Sequence, residues 1–216
     1  RALIICNTIL IILTGCGDDP AGQAGSPFLP VATGNQWVFE QITKADGLLD
    51  GVVTKEVTET EIYQGQNSFV RVTNQTNSPV TKRSNWLIKG EKILRLEQQS
   101  LNTSGTLIHA RGYDPGFLRF SHALTEAGVT LKEEHVRSEY DATGALESQT
   151  GKTYTWTVEA VDEEVTVPAG TFTCVRVTRI DSDVGEKTYW YARNVGKVKE
   201  SDAEKEELLR EYTIQE

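Results

Sequence analysis

Turn-forming residues recur at short intervals along this chain, and they constrain its fold more than any other feature. From Trp37 onward they separate short runs that are rich in β-branched and aromatic residues. The turn signals lie at residues 45–47, 65–67, 89–91, 113–116, 142–144 and 184–186. Short strands that are separated at this spacing are typical of antiparallel all-β domains.

Two segments show the alternation that a half-buried strand requires. Tyr154, Trp156 and Val158 alternate with polar residues, so these three side chains would share one face of a sheet. Trp37 and Phe39 would share a face in the same way. Both segments therefore predict strands with one buried face.

The end of the chain fits two kinds of secondary structure. Ser201-Asp202-Ala203-Glu204 matches the capping box of a helix start, whereas Leu208 and Tyr212 also fit the alternation of a strand. Residues 201–214 are therefore left open between helix and strand. The prediction for residues 28–216 is a single antiparallel all-β domain with at most one minor helix, and it is long enough for a sizeable core.

The first fifteen residues have the composition of an export signal. An apolar run from Leu3 to Leu13 is interrupted by Asn7 and Thr8, and it would span about half of a bilayer's hydrocarbon core. A short apolar run followed by small residues is typical of a cleavable export signal. Because the sequence contains no Met, we expect the natural signal to begin upstream of Arg1.

The segment Leu13-Thr14-Gly15-Cys16 resembles the bacterial lipobox, in which a leucine and two small residues precede a cysteine. The resemblance implies that a signal peptidase recognises Leu13, Thr14 and Gly15 and cleaves before Cys16. The Cys16 thiol would then carry a diacylglyceryl group, and the new amino group would carry a further acyl chain such as palmitate. Several acyl chains attach a protein durably where one chain holds it only marginally. The alternative is an ordinary signal peptide in which Cys16 has no such role.

Residues 16–27 follow as a small, polar and turn-rich stretch, which cannot bury enough apolar surface to fold alone. We interpret this stretch as a flexible tether between a membrane anchor and the domain. The residue after Cys16 is Gly17 and not an aspartate. In enterobacteria a lipoprotein without aspartate at this position tends to be delivered to the outer membrane, so we expect that location. The acids Asp18 and Asp19 keep the inner membrane open as the alternative.

Charge and cysteine content narrow the classes of function. The net charge is −9 and no block of Lys or Arg occurs, so nucleic acid is a poor partner and membrane contact is expected through the lipid anchor. Cys6 leaves with the signal and Cys16 carries lipid, so Cys174 has no partner for an intramolecular disulfide. Cys174 follows Phe172 at strand spacing, and we expect it to be a small buried apolar residue.

The sequence contains no pattern of catalytic or metal-binding residues. His109, His122 and His135 lie far apart, whereas zinc sites usually include a close pair of ligands, so we interpret them as single surface or edge-strand histidines. There is no nucleophile elbow and no glycine-rich phosphate loop. We therefore expect no enzymatic activity, no cofactor and no metal.

Three segments occur in order behind the lipobox: Gly34-Asn35-Gln36-Trp37, Val167-Pro168-Ala169-Gly170-Thr171-Phe172, and the run from Tyr189 to Lys199. Together they resemble a broad group of bacterial envelope lipoproteins of unknown function, the TapB-like family. The resemblance implies a curved antiparallel sheet or half-barrel, similar to carriers of the LolA kind, which hold an acyl chain against a concave face. In physical terms, the Pro-Ala-Gly of the second segment favours a tight strand reversal, and the glycine of the third permits a bend or bulge.

Aromatic residues are the remaining signal. Trp37, Trp86, Trp156 and Trp190 all fall in predicted strands, where they would form core or line a pocket for an apolar or sugar-like ligand. We therefore predict a non-enzymatic, membrane-anchored envelope lipoprotein whose β domain binds an apolar or lipid-like ligand. The alternative is a structural or protein-interaction subunit, whose sheet edge or exposed face contacts another envelope protein.

Overall fold

The structure, a computed structural model, describes residues 27–181 and 185–215. The predicted signal peptide, Cys16 and the tether up to residue 26 lie outside the described residues. Twelve strands follow one another along the chain: β1 (Gln36–Thr43), β2 (Leu49–Tyr63), β3 (Gln66–Gln75), β4 (Thr81–Lys89), β5 (Lys92–Leu101), β6 (Leu107–Ser121), β7 (Thr130–Tyr140), β8 (Leu146–Val167), β9 (Gly170–Asp181), β10 (Gly185–Ala192), β11 (Gly196–Ser201) and β12 (Lys205–Thr213).

The twelve strands form one closed antiparallel barrel. Each strand pairs with its neighbours in the chain, and β1 pairs with β12, where Gln36 lies opposite Thr213 and Phe39 opposite Leu209. The predicted antiparallel all-β domain is confirmed, but the predicted open curved sheet or half-barrel is wrong. Side chains alternate between two faces in open and closed sheets alike, so strand patterns alone do not show that the first and last strands meet.

Across the described ranges the chain contains no helix, and hence none long and apolar enough to cross a membrane. The minor helix that the sequence allowed at residues 201–214 is absent, because most of this segment forms β12. The side chain of Asp202 accepts hydrogen bonds from the backbone N–H groups of Glu204 and Lys205, at 3.0 and 2.9 Å. The residues that suggested a capping box therefore form a tight turn into β12, where Leu209 is fully buried.

Most of the predicted turns occur where the sequence places them. Those at residues 45–47, 65–67, 89–91 and 142–144 fall at junctions between consecutive strands, and Val167 and Gly170 close the β8–β9 hairpin as expected. The turn predicted at 113–116 is wrong, since these residues lie within β6. There the pairing of β6 with β5 is interrupted, and the chain bulges without reversing its direction.

Apolar side chains fill the barrel in two clusters. One contains most of the aromatic residues of β4–β10 together with Phe28 and Leu29, which precede the first strand. The other surrounds Trp37, Phe39 and Leu209. Because the twelve strands pair only with one another and both clusters lie within the segment from Pro27 onward, this segment contains the contacts that the barrel needs to fold by itself.

Candidate ligand site in the barrel interior

The barrel encloses a cavity of about 400 Å³, a volume that includes its open mouth. Its lining divides into an apolar and aromatic part and a cationic part. Leu29, Trp37, Trp86 and Tyr191 form the first part; Lys55, Arg71, Arg119 and Lys197 form the second. Four cations are more than the few polar groups that a mostly apolar cavity ordinarily contains.

The two lysines of the cavity are neutralised by carboxylates of neighbouring strands. The ammonium group of Lys55 contacts Glu207, and that of Lys197 contacts both Glu200 and Glu207. Burial raises the pKa of Glu207, but the charges of Lys197 and Lys55 outweigh it and lower the pKa to about 2. Both glutamates of this network are therefore ionised at neutral pH, whereas burial lowers the pKa of Lys55 to about 7 against the opposing charge of Glu207.

Arg71 and Arg119 do not contact these carboxylates, although the charge of Glu200 acts on both. Among the described side chains, neither guanidinium forms a salt bridge or a hydrogen bond, and the Nε atom of each is buried without a partner. Both stack near the indole of Trp86, with the Cζ atoms of Arg71 and Arg119 at 4.0 and 5.8 Å from the ring centroid. These two positively charged groups line the cavity, and their main contacts are with aromatic rings.

Two further arginines extend this group around the ring of Phe117. The Cζ atoms of Arg95, Arg119 and Arg179 lie 5.1, 5.3 and 5.3 Å from the Phe117 centroid. Arg95 and Arg179 are only 9% and 8% exposed, and each has a buried Nε without a partner. The one hydrogen bond described for these two guanidinium groups joins Arg95 to the hydroxyl of Tyr113, at 3.0 Å.

We refer to Arg71, Arg95, Arg119 and Arg179 as the arginine cluster. Burial is the main cause that lowers the pKa of Arg95, to about 10, and repulsion from Arg119 and Arg179 adds to it. The pKa of Arg71 is lowered by burial and by its neighbours Arg119 and Arg95. Buried charges in proteins are normally paired, so arginines that repel one another and form no salt bridge carry a free-energy cost.

The histidines do not form a common site. His109 Nε2 lies 2.8 Å from Glu139, and His122 packs edge-on against Phe120. In the part of the chain that the structure describes, no three His, Cys, Asp or Glu residues are grouped so as to hold a metal. The prediction of surface or edge-strand histidines is wrong for His135, which is 5% exposed.

His135 lies beside the arginine cluster, between aromatic rings. Its ring stacks on Tyr154 at 5.3 Å and meets Phe117 at the same distance. Burial lowers the pKa of His135 to about 4, and the charges of Arg95 and Arg137 contribute. His135 is therefore a neutral ring at neutral pH.

The structure agrees with the sequence for some candidate residues and adds others. Trp37, Trp86 and Trp156 are buried in strands as predicted, and the first two line the cavity. Cys174 is 2% exposed, and burial raises the pKa of its thiol to about 12, so it is a protonated core residue as expected. The arginine cluster was missed, because a charged residue within a strand is ordinarily assigned to the solvent face.

The lipobox residues Leu13, Thr14, Gly15 and Cys16 lie outside the described residues. Two of the three segments on which the predicted resemblance rests nevertheless meet in the barrel. The indole Nε1 of Trp37 donates a hydrogen bond to the carbonyl oxygen of Val195, and a Cβ on Gly196 would lie 3.0 Å from the same nitrogen. These segments therefore stabilise one end of the barrel.

Fold and site together define a closed antiparallel β-barrel with a cationic and aromatic interior. No protein-family model matches the chain, and no curated protein sequence matches it either. A crystal structure from Bacteroides fragilis, provisionally described as an exported protein with a YmcC-like fold, has a TM-score of 0.50 and 15% identity, and the match covers 87% of this chain and 99% of the other. A structure from Parabacteroides distasonis, provisionally described as a lipoprotein, has a TM-score of 0.42 and 18% identity over 88% and 100%. The first likeness shows a shared fold.

Proposed function

We propose that this chain is a bacterial envelope lipoprotein, anchored through Cys16, whose barrel binds a lipid-like ligand without acting as an enzyme. The observation that carries the proposal is the cavity, which aromatic side chains and cations line together. An aromatic wall suits the apolar part of a ligand, and the cations suit a polar end. A purely apolar ligand would leave the cations desolvated, so an amphipathic ligand fits better.

The position of the cavity supports a link between anchor and ligand. Leu29, which follows the tether almost directly, lines the cavity and belongs to the first apolar cluster. The anchored end of the chain therefore forms part of the wall of the site. The exported protein with the same fold is in keeping with a location outside the cytoplasm.

The anchor is tested by mass spectrometry of the chain isolated from the envelope of a bacterial host. We expect a mature amino terminus at Cys16 that carries a diacylglyceryl group and one further acyl chain. Cys16→Ala should yield an unprocessed or soluble species. An unchanged acyl mass in that variant would refute the lipoprotein proposal. Fractionation of the membranes tests the outer-membrane location that Gly17 favours.

The ligand is tested by native mass spectrometry of the segment 27–216 after export and purification without detergent. A reproducible adduct with the mass of an amphipathic molecule would support the proposal and identify the class of ligand. A mass without adduct, even after incubation with envelope lipids, would favour the alternative of a protein-interaction subunit. Pull-down of envelope proteins with the anchored chain would then be the next experiment.

A further inference from the structure

The arginine cluster gives the barrel interior a charge opposite to that of the whole chain. The net charge of the protein is −9, whereas the cavity is lined by Arg71 and Arg119, neither of which forms a salt bridge, with Arg95 and Arg179 behind them around Phe117. A cavity that concentrates one sign of charge attracts the opposite charge. The feature calls for an explanation beyond the packing of a core.

Among the described side chains, no carboxylate forms a salt bridge with Arg71 or Arg119. Glu200 and Glu207 reach into the same region, but they contact Lys197 and Lys55. The guanidinium groups of Arg71 and Arg119 are thus left with the indole of Trp86 and with the open cavity. Because a guanidinium is a planar donor that fits the oxygens of a carboxylate or phosphate, its natural partner in the cavity is an oxyanion.

Resting on the proposed function, we propose that the ligand of the barrel is an amphipathic oxyanion whose acidic group binds between Arg71 and Arg119. The acidic group is a phosphate or a carboxylate, and both guanidinium groups donate hydrogen bonds to its oxygens. The apolar part of the ligand lies against Trp37 and Tyr191, on the aromatic wall. The ligand class includes acidic lipid head groups and soluble organic acids with an apolar tail.

The ion pairs beside the site favour this assignment. Lys55 and Lys197 hold Glu207 and Glu200 in place, so the glutamates do not contact the arginines. Trp86 holds the guanidinium of Arg71 against its ring, with the Cζ atom 4.0 Å from the ring centroid, before the ligand binds. Such preorganisation lowers the entropic cost of binding.

The test uses the segment 27–216 and three probes: hexyl phosphate, 1-hexanol and inorganic phosphate. Each probe is titrated while the unfolding temperature is measured, and affinity is measured by calorimetry. The variants are Arg71→Met and Arg119→Met, with Arg210→Met as the matched control, since Arg210 lies on the barrel exterior and pairs with Glu211. We expect hexyl phosphate to raise the unfolding temperature of the native domain more than 1-hexanol does.

Both cavity variants should lose affinity for hexyl phosphate by about 10- to 100-fold, because each removes charge-assisted hydrogen bonds. Arg210→Met should keep the native affinity. In the absence of ligand, Arg71→Met should raise the unfolding temperature, because it removes a buried charge that forms no salt bridge. A purely structural arginine would give the opposite shift. Should Arg71→Met fail to fold, Arg119→Met and Arg71→Lys supply the same comparison.

The probes separate a failure of the inference from a failure of the proposed function. Equal stabilisation by hexyl phosphate and 1-hexanol, with unchanged affinity in both variants, would overturn the oxyanion site and leave a lipid-like ligand in place. Stabilisation by inorganic phosphate equal to that by hexyl phosphate, lost in both variants, would support the oxyanion site and overturn the lipid-like ligand. No shift with any probe would overturn both.

Discussion

The indole Nε1 of Trp37 lies 2.6 Å from the carbonyl oxygen of Val195, 158 residues further along the chain. This hydrogen bond joins β1 to the turn between β10 and β11. Gly196 follows Val195 at a φ of +103°, a conformation that side chains with a Cβ rarely adopt. Trp37 and Gly196 therefore belong to one structural unit, although their sequence segments are far apart.

The variant Trp37→Phe measures how much this hydrogen bond contributes to the free energy of unfolding. The variant removes the donor and leaves the buried carbonyl of Val195 unsatisfied. Trp156→Phe is the matched control, because Trp156 is equally buried but its Nε1 has no hydrogen-bond partner. We expect Trp37→Phe to lose about 1 kcal/mol more unfolding free energy in urea than Trp156→Phe. Equal losses would show that the hydrogen bond makes no net contribution.

Gly196→Ala tests the close approach of the backbone to Trp37. The added Cβ would lie 3.0 Å from the indole nitrogen, and the backbone would be strained in addition. In the control Gly128→Ala, φ is +84° and no atom lies within 4 Å of the added Cβ, so only strain is introduced. We expect Gly128→Ala to cost about 1–2 kcal/mol of unfolding free energy and Gly196→Ala measurably more. A smaller loss for Gly196→Ala would contradict this account.

The buried lysine–glutamate network predicts a loss of stability in acid. The pKa of Glu207 is about 2 in the folded protein and 4.5 ordinarily, so its contribution is present above pH 4.5 and is lost as pH falls towards 2. Glu207→Gln should remove this component and, at pH 7, cost about 3–5 kcal/mol by leaving Lys55 and Lys197 undercompensated.

Urea unfolding at pH 7, 4 and 3 checks this prediction for Glu207. Glu134→Gln serves as the control, since Glu134 is an exposed carboxylate whose partner is Lys132. Surface pairs of this kind contribute little, so the control should unfold as the native protein does. A native protein of equal stability at pH 4 and 3 would be evidence against the network.

Protonation of His135 should destabilise the folded protein in a second pH range, above the range in which Glu207 titrates. Its pKa is about 4 in the folded protein and 6.5 ordinarily, so the unfolded chain binds more protons between these values. Stability is therefore lost as pH falls from 6.5 towards 4. His135→Phe should remove this loss, because a phenyl ring suits the aromatic surroundings and does not titrate. The ring titration of His135, followed by NMR, should have its midpoint near pH 4; a midpoint near 6.5 would contradict the buried neutral ring.

The sequence predicts local elements of this fold well. Tyr154, Trp156 and Val158 are buried as their alternation indicates, and Val167 and Gly170 form the predicted hairpin. Closure was not predictable in this way, because the pairing of β1 with β12 depends on the accumulated curvature of the whole sheet. The alternation of apolar and polar residues shows which face of a strand is buried, but it does not show which distant strand pairs with it.

The site was only partly predictable, for a different reason. Trp37 and Trp86 were expected in strands that could line a pocket, and they do line the cavity. Arg71 was missed because Val70 and Val72 flank it, and that pattern assigns the apolar face to the valines. Its inward position follows from register, since Arg71 lies opposite the buried Val57 of β2 and on the same face of β3 as Phe69, whose partner on β4 is Trp86.

Closure of the barrel has a consequence for association with other proteins. In the described sheet every strand has a hydrogen-bonded neighbour on both sides, so the sheet has no terminal strand whose whole outer edge could recruit a strand from another chain. The pairing is not continuous along every strand, since β7 pairs with β8 only as far as Thr157 while β8 runs to Val167. A partner protein that adds a strand to the intact barrel is therefore limited to such partial edges, and its other contacts would be with side chains of the outer face or with the loops at the two rims.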